Sequence, residues 1–470
     1  MLRGQIIDPV ILRLVEALRW VLGETVVVRP PPPSWGRVGR GGGRRPSLSP
    51  MTDRLRDDCF ALPPGIDWTP VDEALAMLRE GVRCVTGIEQ VALGEGAGRV
   101  LAEPVIARRS NPPAANSAID GYGFAWDSLE GAAEGDLVLA DGRSAAGHPF
   151  GGTVVPGAAV RILTGAELPA GVDTVVLQED SEVADGRVRF HAPRKPGANT
   201  RKAGEDAEAG GEALPAGRRL LPGDLARAAA VGVDRLVVRR RLRLGVLSTG
   251  DELVQPGADP AARGVFDANR PMLAALGTAQ GLEVVDLGAV ADEPDLVRAA
   301  LDRGAAEADA IVTTGGASAG DEDHVSRILA AEGRISTWRI AVKPGRPLAL
   351  GFWQGVPVFG LPGNPVAAFV CFLIFARPAL SAMAGSGWRE AQGFMVPAGF
   401  EKAKKPGRRE YLRARMREDG HVEVFHSEGS GLIGGLSWAE GLVELPDEAV
   451  TVRHGDPVRY LPYSSFGLAP

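Results

Sequence analysis

The fold is decided by residues 242–257, LRLGVLSTGDELVQPG, where an apolar strand runs directly into a glycine-containing turn. Further apolar strands follow, which are LEVVDLGAV (282–290), DAIVTTGG (309–316), TWRIAV (337–342) and PVFGLPG (357–363). Amphipathic stretches separate them, and we expect helices over 269–280, 294–307, 321–331 and 365–383. Strands that alternate with helices are typical of a parallel α/β sheet. The loops after such strands lie along one edge of the sheet.

Both flanks of this segment have a β texture. Residues 88–235 carry short apolar runs broken by glycine and proline, as all-β modules do. Near the end, YLRARM (411–416) and HVEVFH (421–426) alternate with period two, which predicts a separate β domain from about residue 393. A helix is expected from Val71 to Gly81, because Val71, Ala74 and Leu78 follow helical spacing after Pro70.

Composition excludes several classes of protein. A chain of 470 residues predicts two to four domains, and 45% apolar with 24% charged residues is typical of soluble globular proteins. The formal charge of -7 gives no overall attraction to nucleic acid or anionic lipid. Three cysteines without paired spacing favour a reducing cytoplasm. The longest uncharged apolar run, 366–376, is too short to span a membrane and indicates a buried helix.

Residues 1–66 differ from the rest of the chain. They include RPPPPSW (29–35) and GRVGRGGGRRPS (36–47), whose composition cannot bury a core. We interpret 1–66 as a disordered extension, with Met51 as a candidate start; a functional basic arm is the alternative.

Two loops of the α/β segment have the composition of an anion site. After the first strand come Thr249, Gly250 and then two carboxylates, Asp251 and Glu252. The second loop, IVTTGGASAGDEDH (311–324), places four glycine or serine positions before a helix whose first turn is acidic, namely Gly315, Gly316, Ser318 and Gly320. Glycine-rich approaches to helix N-termini cradle phosphates, and adjacent carboxylates then require a divalent cation. The alternative is that Asp321 and Asp323 only cap the helix.

The third loop consists of KPGRP (343–347) and LPGNP (361–365). Prolines rigidify it, which leaves Lys343 and Arg346 to bind an oxyanion; a solvated basic turn is the alternative. In the N-terminal β part, the turns around Asp120, Thr164 and Asp206 are ordinary turn signals when taken singly. The basic stretch 402–417 is interpreted as the solvated face of a hairpin, with contact to an anionic ligand as the alternative.

Six motifs taken together and in order carry a family resemblance. They are NSAIDGYGF (116–124), RILTGAELP (161–169), GVLSTGDELVQPG (245–257), TTGGASAGDEDH (313–324), KPGRP (343–347) and FGLPGNPVAAF (359–369). They resemble the molybdopterin molybdenumtransferase family, also called molybdenum insertase, which includes the E domain of gephyrin. The segment GSGLIGGLSWAEGLVELP (429–446) is similar to that family as well.

The resemblance implies a multidomain α/β plus β fold. It implies an elongated linker domain (67–87 and 208–240), an inserted β domain (88–207), an α/β domain similar to molybdopterin adenylyltransferase (241–385) and a small C-terminal β-barrel (393–470). The implied reaction inserts molybdate into adenylylated molybdopterin and releases AMP, with Mg²⁺ present. Members are usually homodimers, so a homodimer is expected, with transient contacts to molybdopterin adenylyltransferase and apo-molybdoenzymes.

The resemblance also implies site residues. Catalytic positions are expected at Asp120, Thr164, Glu252, Asp292, Asp323 and Lys343, of which Glu252 and Asp323 would hold Mg²⁺. Substrate- and anion-binding positions are expected at Ser117, Asp206, Thr249, Gly250, Gly315, Gly316, Ser318, Gly320, Arg339, Arg346, Pro362 and Pro365. Asp120 and Thr164 would reach the site from the partner subunit. Arg339 stands where the family often carries lysine, which keeps the charge and changes its geometry.

Two other functions stay open on the sequence. One is molybdopterin adenylyltransferase, whose fold resembles residues 241–385 alone. The other is a non-catalytic molybdopterin-binding scaffold, which the retained carboxylates Glu252 and Asp323 disfavour.

Overall fold

The computed structural model describes residues 68–259, 261, 263–315, 324–345 and 347–468, without the side chains of 334–339, 347 and 348. Helix α1 follows Pro70, buries Val71, Ala74 and Leu78 on one face, and confirms the predicted helix. Two segments flank the six-stranded sheet formed by residues 121–191. Their elements are α1 (Val71–Gly81), β1 (Ile88–Ala92), β2 (Val105–Ile106), β11 (Glu212–Leu214), α2 (Pro222–Ala230) and β12 (Arg235–Arg239). Strands β1 and β12 pair with each other, as do β2 and β11, so segments more than 100 residues apart form one linker region.

A six-stranded sheet follows the first linker segment. Its order is β7-β4-β6-β5-β9-β8, and every pair is antiparallel except β5 with β6. The strands of this part are β3 (Asn116–Ser117), β4 (Gly121–Phe124), β5 (Glu134–Ser144), β6 (Ala158–Ile162), β7 (Thr174–Leu177), β8 (Ser181–Ala184), β9 (Arg187–His191) and β10 (Thr200–Arg201). Phe124, Val188 and Phe190 fill its core. The predicted β texture is confirmed as far as β11, whereas residues 222–230 of the same range form the helix α2.

The α/β segment is built on a second six-stranded sheet. Its elements are β13 (Arg243–Thr249), β14 (Leu253–Val254), β15 (Val265–Phe266), α3 (Asn269–Ala279), β16 (Glu283–Val290), α4 (Pro294–Glu307), β17 (Ala310–Thr314), α5 (His324–Ala331), β18 (Arg334–Arg339), β19 (Val342–Lys343), β20 (Pro347–Trp353) and β21 (Val356–Leu361). The sheet order is β16-β13-β17-β21-β20-β18, and its first four strands are parallel. Positions 244–249 of β13 are all buried, as expected for a strand covered on both faces.

The last two strands correct the prediction of a purely parallel sheet. Strand β20 is antiparallel to β21, and β18 is antiparallel to β20. Only Gln354 and Gly355 separate β20 from β21, both with positive φ, and a two-residue turn joins only antiparallel neighbours. The predicted parallel strand over 337–342 is instead the antiparallel β18 followed by the short β19.

One long apolar helix closes the α/β segment. It comprises α6 (Pro365–Cys371), a π-helical stretch (Phe372–Ala376) and α7 (Arg377–Met383). Among the described residues, only this helix is long and apolar enough to span a membrane. However, 83% of its most apolar stretch is buried inside the protein. It is therefore the core helix that the sequence predicted, and it packs with α1 and β13 in the largest hydrophobic cluster.

The C-terminal part is a third sheet, of order β19-β24-β26-β28-β22, which confirms the predicted β texture. Its elements are β22 (Phe394–Pro397), β23 (Lys402–Lys404), β24 (Arg409–Met416), β25 (Val422–Val424), α8 (Gly434–Trp438), β26 (Gly441–Leu445), β27 (Val450–Val452) and β28 (Pro457–Pro462). Strand β19 belongs to the preceding segment but pairs with β24, where Lys343 is the register partner of Glu410.

The basic stretch 402–417 is not a solvated face, although the end of β24 does form the predicted hairpin, with β25. Strand β23 pairs with β27 and β24 pairs with β26, so its two halves have different partners. Lys404 and Arg413 are buried. Their burial is compensated because backbone carbonyls accept hydrogen bonds from both side chains. Arg409 lies beside Asp72 of α1 and Asp447, and so joins the first helix to the last sheet.

Candidate functional site

Three loops meet at the carboxyl edge of the neighbouring strands β13, β17 and β21, as predicted. Gly315 follows β17 with φ of +87°, and an added Cβ there would lie 2.2 Å from the carbonyl oxygen of Thr249. A Cβ on Gly363 would lie 3.8 Å from the Cα of Gly315. A residue with a side chain at 315 would therefore push the first two loops apart.

Asn269 holds two of these loops together, although it belongs to none of the six motifs. Its Nδ2 donates to Thr314 Oγ1 at 2.8 Å and to the Gly363 carbonyl oxygen at 2.6 Å. Thr314 Oγ1 in turn donates to the Pro362 carbonyl at 3.2 Å. The signal in the sequence is an asparagine at the first position of a helix that follows the first loop.

The Glu252 side chain folds back over Gly250. A Cβ on Gly250 would lie 2.6 Å from Glu252 Oε2, so glycine makes room for that carboxylate. The Gly250 amide donates to the Val290 carbonyl at 3.1 Å, which ties the first loop to the end of β16. Thr249 Oγ1 is buried without a hydrogen-bond partner among the described residues.

Asp292 adds a third carboxylate to this edge. Its backbone N–H donates to Asp251 Oδ1 at 2.9 Å, and its own Oδ1 is buried without a donor from the described chain. Burial, followed by the charges of Asp251 and Glu252, raises the pKa of Asp292. None of the three carboxylates is ion-paired within the described ranges. The edge is therefore negatively charged and under-compensated, which favours a cation.

The residues of the second loop are only partly placed. Gly316, Ser318, Gly320 and Asp323 lie outside the described residues. His324, the first described residue after them, lies near enough for its charge to lower the pKa of Asp292. Its role was missed, although it directly follows Asp323 in the GDEDH motif. Within the described ranges, no three His, Cys, Asp or Glu side chains surround one metal position.

Pro362 and Pro365 frame the start of the core helix. Pro365 is its first residue, where a missing N–H costs nothing. The next amide, Val366 N–H, donates to the Ser430 carbonyl at 3.1 Å. The C-terminal loop around Ser430 therefore reaches the third loop, a contact that separation along the chain had hidden.

Lys343 faces carboxylates of the C-terminal sheet. Its Nζ lies 2.5 Å from Glu428 Oε2 and 3.4 Å from Glu410 Oε1. Lys343, Glu428 and Lys402 line a cavity of about 220 Å³ beside Val366. Arg346 and the side chain of Arg339 lie outside the described residues.

The site residues predicted in the N-terminal β part, Ser117, Asp120, Thr164 and Asp206, have hydrogen-bond partners within that part. Asp120 Oδ1 accepts hydrogen bonds from Thr164 N and Oγ1, both at 2.7 Å, and these bonds lower the pKa of Asp120. Ser117 is buried and donates to the Ile119 carbonyl, while Asp206 accepts from Asn111. Within the described chain, no hydrogen bond or ion pair joins these residues to the α/β loops.

Family comparisons cover nearly all of the described chain. Residues 69–232 match the "MoeA N-terminal region (domain I and II)", 245–382 match the "Probable molybdopterin binding domain", and 395–463 match the "MoeA C-terminal region (domain IV)". A crystal structure of the molybdopterin biosynthesis moeA protein from Pyrococcus horikoshii is similar, with a TM-score of 0.72 and 26% identity over 84% of this chain and 100% of that one.

Similar curated proteins agree with these matches. A molybdopterin molybdenumtransferase from Haemophilus influenzae is 33% identical over 400 residues, which are 84% of this chain and 98% of the relative. One from a Nostoc species is 32% identical over 79% of this chain and 88% of its own length. On this likeness, which extends through all three regions, the chain belongs to the molybdopterin molybdenumtransferase family.

Proposed function

We propose that this chain is a molybdopterin molybdenumtransferase, which inserts molybdate into the dithiolene of adenylylated molybdopterin and releases AMP. The observation that carries the proposal is the shared edge, where a glycine turn at Gly315, the carboxylates beside Gly250 and the LPGNP turn meet. Relatives that match most of this chain are named molybdopterin molybdenumtransferases. Adenylyltransferase activity is not favoured, because the N-terminal and C-terminal MoeA regions are both present.

The substrate is anionic, and the first two loops supply neutral donors for it. Thr249 and Gly315, with Gly316, Ser318 and Gly320, would hold the phosphates through backbone N–H groups and hydroxyls. Gly250 donates its own N–H to the Val290 carbonyl and would contribute by letting the phosphates come close. The buried, unpartnered Oγ1 of Thr249 supports this role.

A divalent cation fits the carboxylate edge. The unpaired carboxylates Asp251, Glu252 and Asp292, with the buried donor-free Oδ1 of Asp292, are oxygen ligands of the kind that Mg²⁺ takes. Glu252 and Asp323 would hold Mg²⁺ directly or through water. The bound ion would supply neutralisation of phosphate charge. Asp292 would keep the neighbouring carboxylates in place through its N–H bond to Asp251.

Oxyanion groups would be held on the other side of the LPGNP turn. Lys343 with Arg346, and Arg339 nearby in the sequence, would bind molybdate or the dithiolene end of the substrate. Pro362 and Pro365 would keep the turn rigid between the two groups of ligands.

Ser117, Asp120, Thr164 and Asp206 would complete the site from a second copy of the chain in a homodimer. The chain would work as four domains, with β1 and β2 joined to the linker segment 208–240 through their pairing with β12 and β11. The enzyme would work in the cytoplasm. It would contact molybdopterin adenylyltransferase and apo-molybdoenzymes transiently.

The test follows AMP release from adenylylated molybdopterin with Mg²⁺ and micromolar molybdate, and then reconstitution of a cofactor-free molybdoenzyme. Glu252→Ala, Asp323→Ala and Lys343→Ala should each lower turnover at least about tenfold, which is a barrier increase of about 1.4 kcal/mol. Glu332→Gln is the matched control, because Glu332 is ion-paired to Arg298 on the surface. Substrate binding without AMP release or reconstitution would instead indicate a scaffold, and wild-type rates in all three variants would refute the assigned roles.

A further inference from the structure

Four charged side chains form a closed cluster at the junction of β19 and the C-terminal sheet. Glu428 lies between two lysines, with Lys343 Nζ 2.5 Å from one oxygen and Lys402 Nζ against the other. Glu410 completes the cluster at 3.4 Å from Lys343 and 3.1 Å from Lys402. We call Lys343, Lys402, Glu410 and Glu428 the charge cluster. Its two positive and two negative groups sum to zero.

The charge cluster occupies the place where an oxyanion would have to bind Lys343. Three of its members, Lys343, Lys402 and Glu428, line the 220 Å³ cavity together with Arg413 and Ser427. Burial alone would raise the pKa of Glu428, but Lys343 and Lys402 outweigh it and hold that pKa below its usual range. Glu428 is therefore ionised at neutral pH and acts as a built-in anion on the lysine that we assign to oxyanion binding.

The two carboxylates differ in how freely they can leave. Glu410 is on strand β24 with 10% of its side chain exposed, whereas Glu428 is in the loop after β25 with 45% exposed. The loop backbone is fixed on both sides of Glu428, because Arg413 donates to the carbonyls of Ser427 and Gly429. Release of Lys343 therefore requires rotation of the Glu428 side chain and no opening of the loop.

We propose that Glu428 is an internal counter-anion that molybdate must displace from Lys343, so that it sets the molybdate concentration at which the enzyme works. The inference rests on the proposed function through the role of Lys343. While the site is empty, Glu428 keeps the two lysines from repelling each other and from capturing weaker anions. When molybdate arrives, the Glu428 carboxylate turns to solvent and Glu410 stays as the remaining partner of both lysines.

Charge removal at Glu428 gives the sharpest test. In Glu428→Gln, the amide keeps the size of the side chain and removes the competing charge. We expect half-maximal AMP release at about tenfold lower molybdate, because a unit charge a few ångströms from the anion changes binding by at least that factor. The maximal rate should stay within about twofold, and sulfate should inhibit more strongly. Glu428→Asp keeps the charge and should stay near the wild-type value.

The matched control is Glu332→Gln. Glu332 is also ion-paired and similarly exposed, at 43%, but it directly follows α5 and is not part of the charge cluster. Its molybdate requirement should equal that of the wild type. Melting temperatures of all variants verify that they fold. A Glu428→Gln enzyme that needs as much molybdate as the wild type, or more, overturns the proposal.

Calorimetric titration of molybdate into the free proteins separates this inference from the proposed function. If wild-type protein releases no AMP but Glu428→Gln binds molybdate more tightly, the insertase assignment fails and the counter-anion role stands. If AMP release depends on molybdate and both proteins bind it equally, only the role of Glu428 fails. If neither protein binds molybdate or responds to it, both fail.

Discussion

Asp292 lies against two other carboxylates with one of its oxygens buried and without a donor in the described chain. Such a group is unfavourable for folding as long as it is ionised. If this edge binds an anionic substrate together with a divalent cation, as we propose, uncompensated negative charge is needed there, and this need would account for the unfavourable burial. The same residue that supports function therefore weakens the resting protein.

The pH dependence of this cost has a definite sign. Because the folded-state pKa of Asp292 is raised above its usual value of 3.8, its stabilising effect is present below that value and is lost as pH rises through the folded pKa. Asp292→Asn should therefore raise the melting temperature at pH 7 by about 2 °C, which is what about 1.5 kcal/mol gives in a chain of this size. At about pH 4 the difference from wild type should shrink.

The control for this prediction is Asp295→Asn, an exposed surface partner of Arg298. It should leave the melting temperature within about a degree of wild type, because exposed ion pairs contribute little. A lower melting temperature for Asp292→Asn at pH 7 would show that its contacts outweigh its charge. AMP release by the same variant should fall despite its greater stability, as trade-offs at active sites predict.

At the scale of elements, the turn after β17 decides how closely the loops approach. Gly315→Ala should lower the urea midpoint of unfolding for two reasons. Residue 315 has φ of +87°, and the added Cβ would lie 2.2 Å from the Thr249 carbonyl oxygen. Gly355→Ala isolates the first reason, because Gly355 has φ of +86° and open space around it. The control should cost about 1 to 2 kcal/mol, and Gly315→Ala should cost clearly more. Equal costs would mean that the loops can separate freely.

The elements themselves were largely predictable, and their pairing was not. The spacing of Val71, Ala74 and Leu78 predicts α1, and the apolar run of β13 predicts a covered strand, because both depend on neighbours in sequence. Strand β20 pairs antiparallel with β21 because the turn at Gln354 reverses the chain and because the edge of β21 away from β17 is open for pairing. The contact of Lys343 with Glu428 joins residues 85 positions apart, and no local pattern encodes it.

At the scale of the whole molecule, no hydrogen bond or ion pair in the described part of the chain joins the group around Asp120 and Thr164 to the α/β loops. If a second copy supplies it, as we propose, subunit mixing reveals it. Asp120→Ala and Glu252→Ala should each be inactive alone. After unfolding and joint refolding, about a quarter of wild-type activity should return, because half of the dimers carry one intact site. Mixing that restores nothing would place all these residues in one subunit's site.

The core helix from Pro365 to Met383 runs from the LPGNP turn to Val85, whose amide donates to the Met383 carbonyl. It is buried along nearly its whole length, so its amides reach solvent only when the main hydrophobic cluster opens. Hydrogen exchange in this helix therefore reports the free energy of global unfolding. The helix would therefore act as a fixed axis beneath the candidate site, and the side-chain rotation proposed for Glu428 would leave it in place.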